Sequence, residues 1–321
     1  MRKAFPLFIL MPLILSSCSK KDTFLERMVF GCETLFELKA YNAEESNLDK
    51  MLDEILKYSK LFDAFNTYSD LANIATINST NDEVELDKEL YDALKIADDY
   101  FHKTKGYFNP YLGELTFAYK DAFSKNQIPD ENIINSGLSH LKTFKFDFND
   151  EKMSVKRVGK SKLDLGAFAK GYLVDKVKEI AKENNVNYYM LSGGSSSNYF
   201  SEKPNGDGYK VGIKYANKKY LELKNNSLGV SSIYEQIVEI DGKKYSHIIN
   251  PFTGKPAMDY AFSLVVDESA TLTDVFSTVL MTVNDLSLVE DMAKEFDFSY
   301  MLFDIKDNII SQTSDLILKS Y

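Results

Sequence analysis

Apolar and polar positions recur along this chain in two rhythms. Residues 28–41 are rich in Val, Phe, Thr and Leu with partial alternation, which predicts a strand. In residues 47–62 the spacing changes: Leu48, Met51, Leu52, Ile55, Leu56 and Tyr58 fall at helical intervals. Residues 87–102 repeat that pattern through Leu90, Leu94, Ile96, Ala97 and Tyr100. A Gly/Asn/Pro loop follows at 106–113. Residues 141–158 alternate again through Phe144, Phe146 and Phe148, turn at Asn149-Asp150, and continue with Met153 and Val155, which predicts a hairpin. A helix is expected over 163–181, with Leu165, Phe168, Leu173, Val177 and Ile180 on one side. Strands are expected at 186–191, at several places in 209–240 and at 264–267, with a helix over 272–283. The hairpins favour a mixed or antiparallel sheet, hence an α+β fold. There is no repeat of fixed period and no linker long enough to separate independent domains.

The first residues fit neither rhythm. Arg2 and Lys3 give a basic start, residues 4–15 are apolar, and Leu15-Ser16-Ser17-Cys18 leads into the polar Ser19-Lys20-Lys21-Asp22. The apolar run is far short of the roughly 20 residues a membrane span needs, and Pro6 and Pro12 interrupt it. It fits the apolar region of a secretory signal. Small residues directly before a Cys resemble a bacterial lipobox, in which that Cys is lipidated and becomes the new N-terminus. The expectation is a signal over 1–17, lipidation at Cys18, a tether over 18–27 and one exported domain over 28–321. The domain would be held to the bacterial cell membrane, on its outer side, by the lipid. Cys32 is then the one remaining thiol, so no internal disulfide is available and packing must hold the fold together. Cys32 reads as a small core residue.

The 321 residues carry 38 Lys+Arg against 48 Asp+Glu, and 44% of them are hydrophobic. That length supports one large domain or two packed lobes. A net charge of -10 argues against a nucleic-acid partner, and loss of residues 1–17 would deepen it to -12 by removing Arg2 and Lys3. Arg occurs at positions 2, 27 and 157 alone, so a phosphate site would need a metal, backbone N–H groups or Lys.

Several familiar motifs are absent. Gly159-Lys160-Ser161 ends like a phosphate loop, but position 154 is Ser where that motif needs Gly. No Gly-x-Gly-x-x-Gly follows a strand, no Gly-x-Ser-x-Gly elbow occurs, and His102, His140 and His247 lack zinc spacing. Three segments remain. In Leu163-Asp164-Leu165-Gly166-Ala167-Phe168-Ala169-Lys170-Gly171-Tyr172 an acid precedes a helix start with small residues, where free N–H groups suit an anion. An Asp cap with a solvated Lys fits that segment equally. In Tyr245-Ser246-His247-Ile248-Ile249-Asn250-Pro251-Phe252-Thr253-Gly254-Lys255-Pro256 an apolar pair enters a turn. In Thr271-Leu272-Thr273-Asp274-Val275-Phe276-Ser277-Thr278, Asp274 and Thr278 project from one helix face, a hard-oxygen pair suited to Mg²⁺.

In this order the three segments resemble the FAD:protein FMN transferase (ApbE-like) family, over roughly residues 28–300. Earlier echoes are Phe30-Gly31-Cys32, Phe65-Asn66-Thr67-Tyr68 followed by Asn78, and Thr104-Lys105-Gly106-Tyr107-Phe108-Asn109-Pro110. The resemblance implies two α/β lobes forming one flavin transferase unit, with a ligand cleft between them. It implies FAD as substrate, a bound Mg²⁺, and transfer of FMN to a Thr of an acceptor flavoprotein with AMP leaving. Asp164 and Lys170 would contact FAD. Phe30, Tyr68, Tyr107, Phe108, Asn109 and Ile248 would lie against its flavin or adenine portions. Ala167, by its carbonyl, would join Asp274, Ser277 and Thr278 around the metal, and His247 would be the base for the acceptor hydroxyl, making His247 and Asp274 the catalytic pair.

Asn250 and Asn109 stand where the family usually has Asp, and Gly193-Gly194-Ser195 replaces Gly-Gly-Asp. Neutral Asn still hydrogen-bonds a ligand. Two other outcomes fit the same residues: water as the acceptor, giving FMN and AMP, or a flavin-binding lipoprotein without turnover. The physics of the first reading is direct. An acidic, Arg-poor protein repels a diphosphate unless a cation reverses the local sign.

Overall fold

Strands β1 (Phe24–Gly31) and β2 (Thr34–Tyr41) pair antiparallel, with Gly31 opposite Thr34. The single strand expected over 28–41 is thus a hairpin. Its two turn residues, Cys32 and Glu33, both have positive φ, 46° and 59°, a conformation that usually selects Asn and Gly. That is why no turn signal was visible. β1 also takes up four residues of the expected tether, because Leu25 packs on the core. The structure is a computed structural model that describes residues 24–321 apart from Ser195, Tyr215 and Asn217. The expected signal, Cys18 and the start of the tether lie outside the described residues.

After the hairpin come α1 (Glu45–Leu61), α2 (Ile74–Ser79), β3 (Glu83–Glu85), α3 (Lys88–Lys103), α4 (Gly113–Ser124), α5 (Glu131–Thr143), β4 (Lys145–Asn149) and β5 (Ser154–Val158). Then follow α6 (Ala169–Glu183), β6 (Tyr188–Gly193), β7 (Ser197–Phe200), β8 (Tyr209–Gly212), β9 (Lys219–Leu223), β10 (Asn226–Ser232), β11 (Val238–Ile240) and β12 (Lys243–Tyr245). The chain ends with β13 (Tyr260–Asp267), α7 (Ala270–Leu280), α8 (Leu286–Phe296), β14 (Ser299–Asp304), β15 (Ile309–Gln312) and β16 (Lys319–Ser320).

Eight strands form the main sheet in the order β1-β2-β6-β7-β10-β13-β14-β15, each antiparallel to its neighbours. The central strand β13 is buried on both faces. Val265 joins the core made with α1, α6 and α7, where Leu48, Ile55, Leu173, Val177 and Phe276 meet. Leu264 and Val266 face the other way, onto Tyr209, Leu221 and Leu223 of the small sheet β16-β9-β8. Such alternation follows from the two-residue period of a strand.

The segment between α1 and α6 builds a second lobe from α2–α5 and the sheet β3-β5-β4. One cation braces it. Arg157 is buried, and its guanidinium donates to the carbonyls of Ile77, Asn78, Thr80, Gly159 and Ser161 at 2.9–3.4 Å. The strand of chain that leads into α6 is tied back onto this lobe at residues 162–164. Gly113 N–H donates to Lys162 O at 2.9 Å, and Asp164 N–H donates to Pro110 O at 2.8 Å. The Asn78 amide bridges both backbone groups of Leu163. These bonds hold the segment extended, so α6 starts at Ala169 rather than near the expected residue 163.

Candidate functional site

At the crossing of α6 and α7, a Cβ on Gly171 would lie 2.2 Å from Ala270 O and 2.6 Å from Asp274 Cβ. Glycine alone permits that approach. The contact lets Gly171 N–H donate to Asp274 Oδ2 at 2.9 Å, while Ser197 of β7 donates to Oδ1 at 2.7 Å. Asp274 is only 3% exposed. Gly171 belongs to the first of the segments singled out above and Asp274 to the third, so two of them meet here. Each carboxylate oxygen accepts about two bonds, leaving capacity on both. One turn along α7, Thr278 Oγ1 lies 3.1 Å from Ser231 Oγ of β10, which also lies 3.0 Å from Ser277 Oγ. Ser277 is fully buried and donates to Asp274 O at 3.0 Å. Its hydroxyl proton goes to its own helix, and its oxygen lies against Ser231.

Asp164 does not cap α6. Its Oδ1 accepts Gly166 N–H at 2.9 Å, and its Oδ2 accepts the Thr116 hydroxyl of α4 at 2.5 Å. Gly166 and Ala167 form the turn before the helix, and Lys170 stands in its first turn rather than its second. The Lys170 ammonium, 3.3 Å from Gly166 O, acts electrostatically on Cys32, Glu235 and His247. Burial, helped by that charge, lowers His247 to about 4, so the ring is neutral at pH 7. Its Nδ1 is buried and has no hydrogen-bond partner among the described residues. Burial pushes the Cys32 thiol up, against its bond to Ser59. Loss of solvent also raises the Glu235 carboxyl, opposed by Lys170 and reinforced by Asp274.

The turn after His247 is built by Asn250. Its Oδ1 accepts Phe252 N–H at 2.9 Å and Thr253 N–H at 3.1 Å, and its Nδ2 donates to Thr282 O at 3.1 Å. A carboxylate could not make the last bond. Asn109 Oδ1 similarly accepts Tyr111 N–H at 2.9 Å. Both amides organise turns. Ser195 lies outside the described residues.

The aromatic contacts divide. Tyr107 stacks edge-on against Phe252 at 4.7 Å. Phe252 and Asn109 line a cavity of about 350 Å³ between the lobes, with Phe101, Lys105 and Pro251, near the lower size of ligand pockets. Phe108 and Ile248 are buried in the main core, Phe108 between Tyr100 and Phe168. Tyr68 donates to Asp63 at 3.1 Å. Phe30 is 67% exposed on the outward face of the hairpin. A larger groove of about 890 Å³ lies around Asp175 and Lys182 on α6; Tyr172 and Thr271 line it, but none of the residues expected to contact FAD or the metal does. Gly171, Ser197, Ser231 and Thr116 were not anticipated as site residues. The small-residue run at 193–197 was the local signal for Ser197, and Gly171 lay within the first motif.

The ApbE family model matches residues 32–298. The chain belongs to the ApbE family. It is 26% identical over 306 residues to a protein of Chlamydia trachomatis named FAD:protein FMN transferase, covering 90% of this chain and 93% of that one. A protein of the same name from Chlamydia muridarum is 25% identical over 274 residues, 84% of each chain. Among solved structures, the ApbE protein of Thermotoga maritima superposes with a TM-score of 0.82 at 24% identity, over 91% of this chain and 97% of that one. The apo flavinyl transferase ApbE of Pseudomonas stutzeri gives 0.76 at 18%, over 91% and 95%. These likenesses match the antiparallel α+β architecture.

Proposed function

We propose that this chain transfers the FMN portion of FAD to a threonine of an acceptor protein, releasing AMP, with Mg²⁺ as its metal and a lipid on Cys18 as its anchor outside the cell membrane. Flavin transfer is the activity its family membership and its relatives' names support. One observation carries the metal: Asp274, nearly inaccessible to bulk solvent, is aimed by Gly171 and Ser197 and keeps acceptor capacity on both oxygens. The donors are hard oxygens, which fit Mg²⁺. Asp274, Thr278 and the Ala167 carbonyl would hold it, with Ser277 and Ser231 steadying Thr278. Bound there, Mg²⁺ supplies charge neutralisation for a diphosphate.

Lys170 and the turn at Gly166 add donors on the same side, and Asp164 fixes that turn. His247 is neutral and Nδ1 is unspent, so it can receive the threonine proton as the oxygen attacks the FMN-side phosphorus and the phosphoanhydride bond to AMP breaks. Incubation with FAD, Mg²⁺ and an acceptor carrying a suitable threonine should leave fluorescent flavin on the acceptor in a denaturing gel. Absence of that band where FAD binds would refute the transfer, and AMP release without acceptor would reassign it to hydrolysis.

A further inference from the structure

We propose that the outward face of the β1–β2 hairpin lies on the lipid bilayer. This rests on the lipid anchor at Cys18 proposed above. Phe24, Met28 and Phe30 alternate along one side of β1 and are 46%, 53% and 67% exposed. Leu35, opposite Phe30 on β2, is 50% exposed. β1 ends the sheet order, so among the described residues no further strand flanks it. The small sheet that covers this side of the main sheet reaches Tyr41 and Met190 at its margin. Beyond them the hairpin presents large apolar side chains to the outside, a pattern that marks an interaction face.

Chain length selects the occupant. Residues 19–23 alone separate Cys18 from Phe24. Six fully extended steps span at most about 22 Å, so a lipid on Cys18 keeps Phe24 within that distance of the headgroups. The hairpin is itself about 25 Å long, comparable to the tether's reach. A single acyl chain binds marginally, and a second weak contact makes anchoring stable. Lys39 pairs with both Glu26 and Glu37, which share the face and leave it one net negative charge. The attraction is therefore apolar, and it should be stronger on zwitterionic than on anionic lipid.

The chain contains no Trp, so single replacements report without background. The full-length lipidated protein would carry Met28→Trp, Leu35→Trp or, as a control on α5 in the other lobe, Ile133→Trp. Each would be bound to phosphatidylethanolamine vesicles with brominated acyl chains. Positions 28 and 35 should be quenched several-fold more than 133, with blue-shifted emission. Equal quenching at all three in a chain whose mass shows the lipid would overturn the bilayer contact and leave the anchor standing. A mass without lipid would remove the anchor and the contact with it. Blue-shifted emission at 28 without vesicles, from a chain of doubled mass, would assign the face to a second copy.

Discussion

Asp175 and Asp274 are placed almost reciprocally, yet they are used differently. Asp175, on α6, reaches the start of α7. Its oxygens accept from Ala270 N, Thr271 N, the Ser269 and Thr271 hydroxyls and the Lys178 ammonium at 2.7–3.0 Å. Asp274, on α7, reaches back to α6 and accepts two bonds, from Gly171 and Ser197. The first carboxylate is saturated and acts as a clamp. The second is aimed but under-used. In a region where buried polar groups normally find partners, spare acceptor capacity separates a functional acid from a structural one better than burial does.

Replacement of Asp274 by Ala should give the largest effect: Mg²⁺-stimulated flavin transfer falls by at least about 100-fold, while the protein remains folded by circular dichroism. Unchanged Mg²⁺ stimulation would erase the distinction between the two acids. Asp175→Ala should do the converse. Stripping the α7 start of its acceptor costs about 3 kcal/mol in chemical denaturation, with the metal response of the folded fraction kept. Gly171→Ala acts on both, since its methyl collides with Ala270 O and Asp274. It should destabilise by about 2 kcal/mol and weaken Mg²⁺ binding, read by titration calorimetry.

A pH series adds a smaller contrast at the neighbouring imidazole. The unfolded His247 ring takes up a proton below pH about 6.5, whereas the folded ring stays neutral down to about 4. Stability therefore declines as pH falls from 6.5 toward 4. His247→Gln should flatten that decline by on the order of 2 kcal/mol. Asn250→Asp should cost about 1 kcal/mol, because the bond to Thr282 O is lost. A gain in stability there would mean that the amide is not what holds the turn.

The apolar faces of α1, α3 and the β4–β5 hairpin made those elements legible. The helices α4, α5 and α8 were not anticipated, and α5 buries only Ile134 and Gly137 along its 13 residues. The start of α6 was misplaced because a tertiary tie, the Asn78 amide on Leu163, overrides helical spacing. The three site segments were readable in order. Their convergence was not, since it depends on Gly171 lacking a side chain and on Ser197, 77 residues from its partner.

Arg157 has a consequence for how the second lobe comes apart. A single guanidinium gathers the carbonyls of Ile77, Asn78 and Thr80 at the end of α2, along with two just after β5. An ammonium carries three donors and cannot serve five acceptors. The end of α2 and the exit of β5 share one fastener, so they should loosen together as one cooperative unit, visible as a common amide-exchange rate.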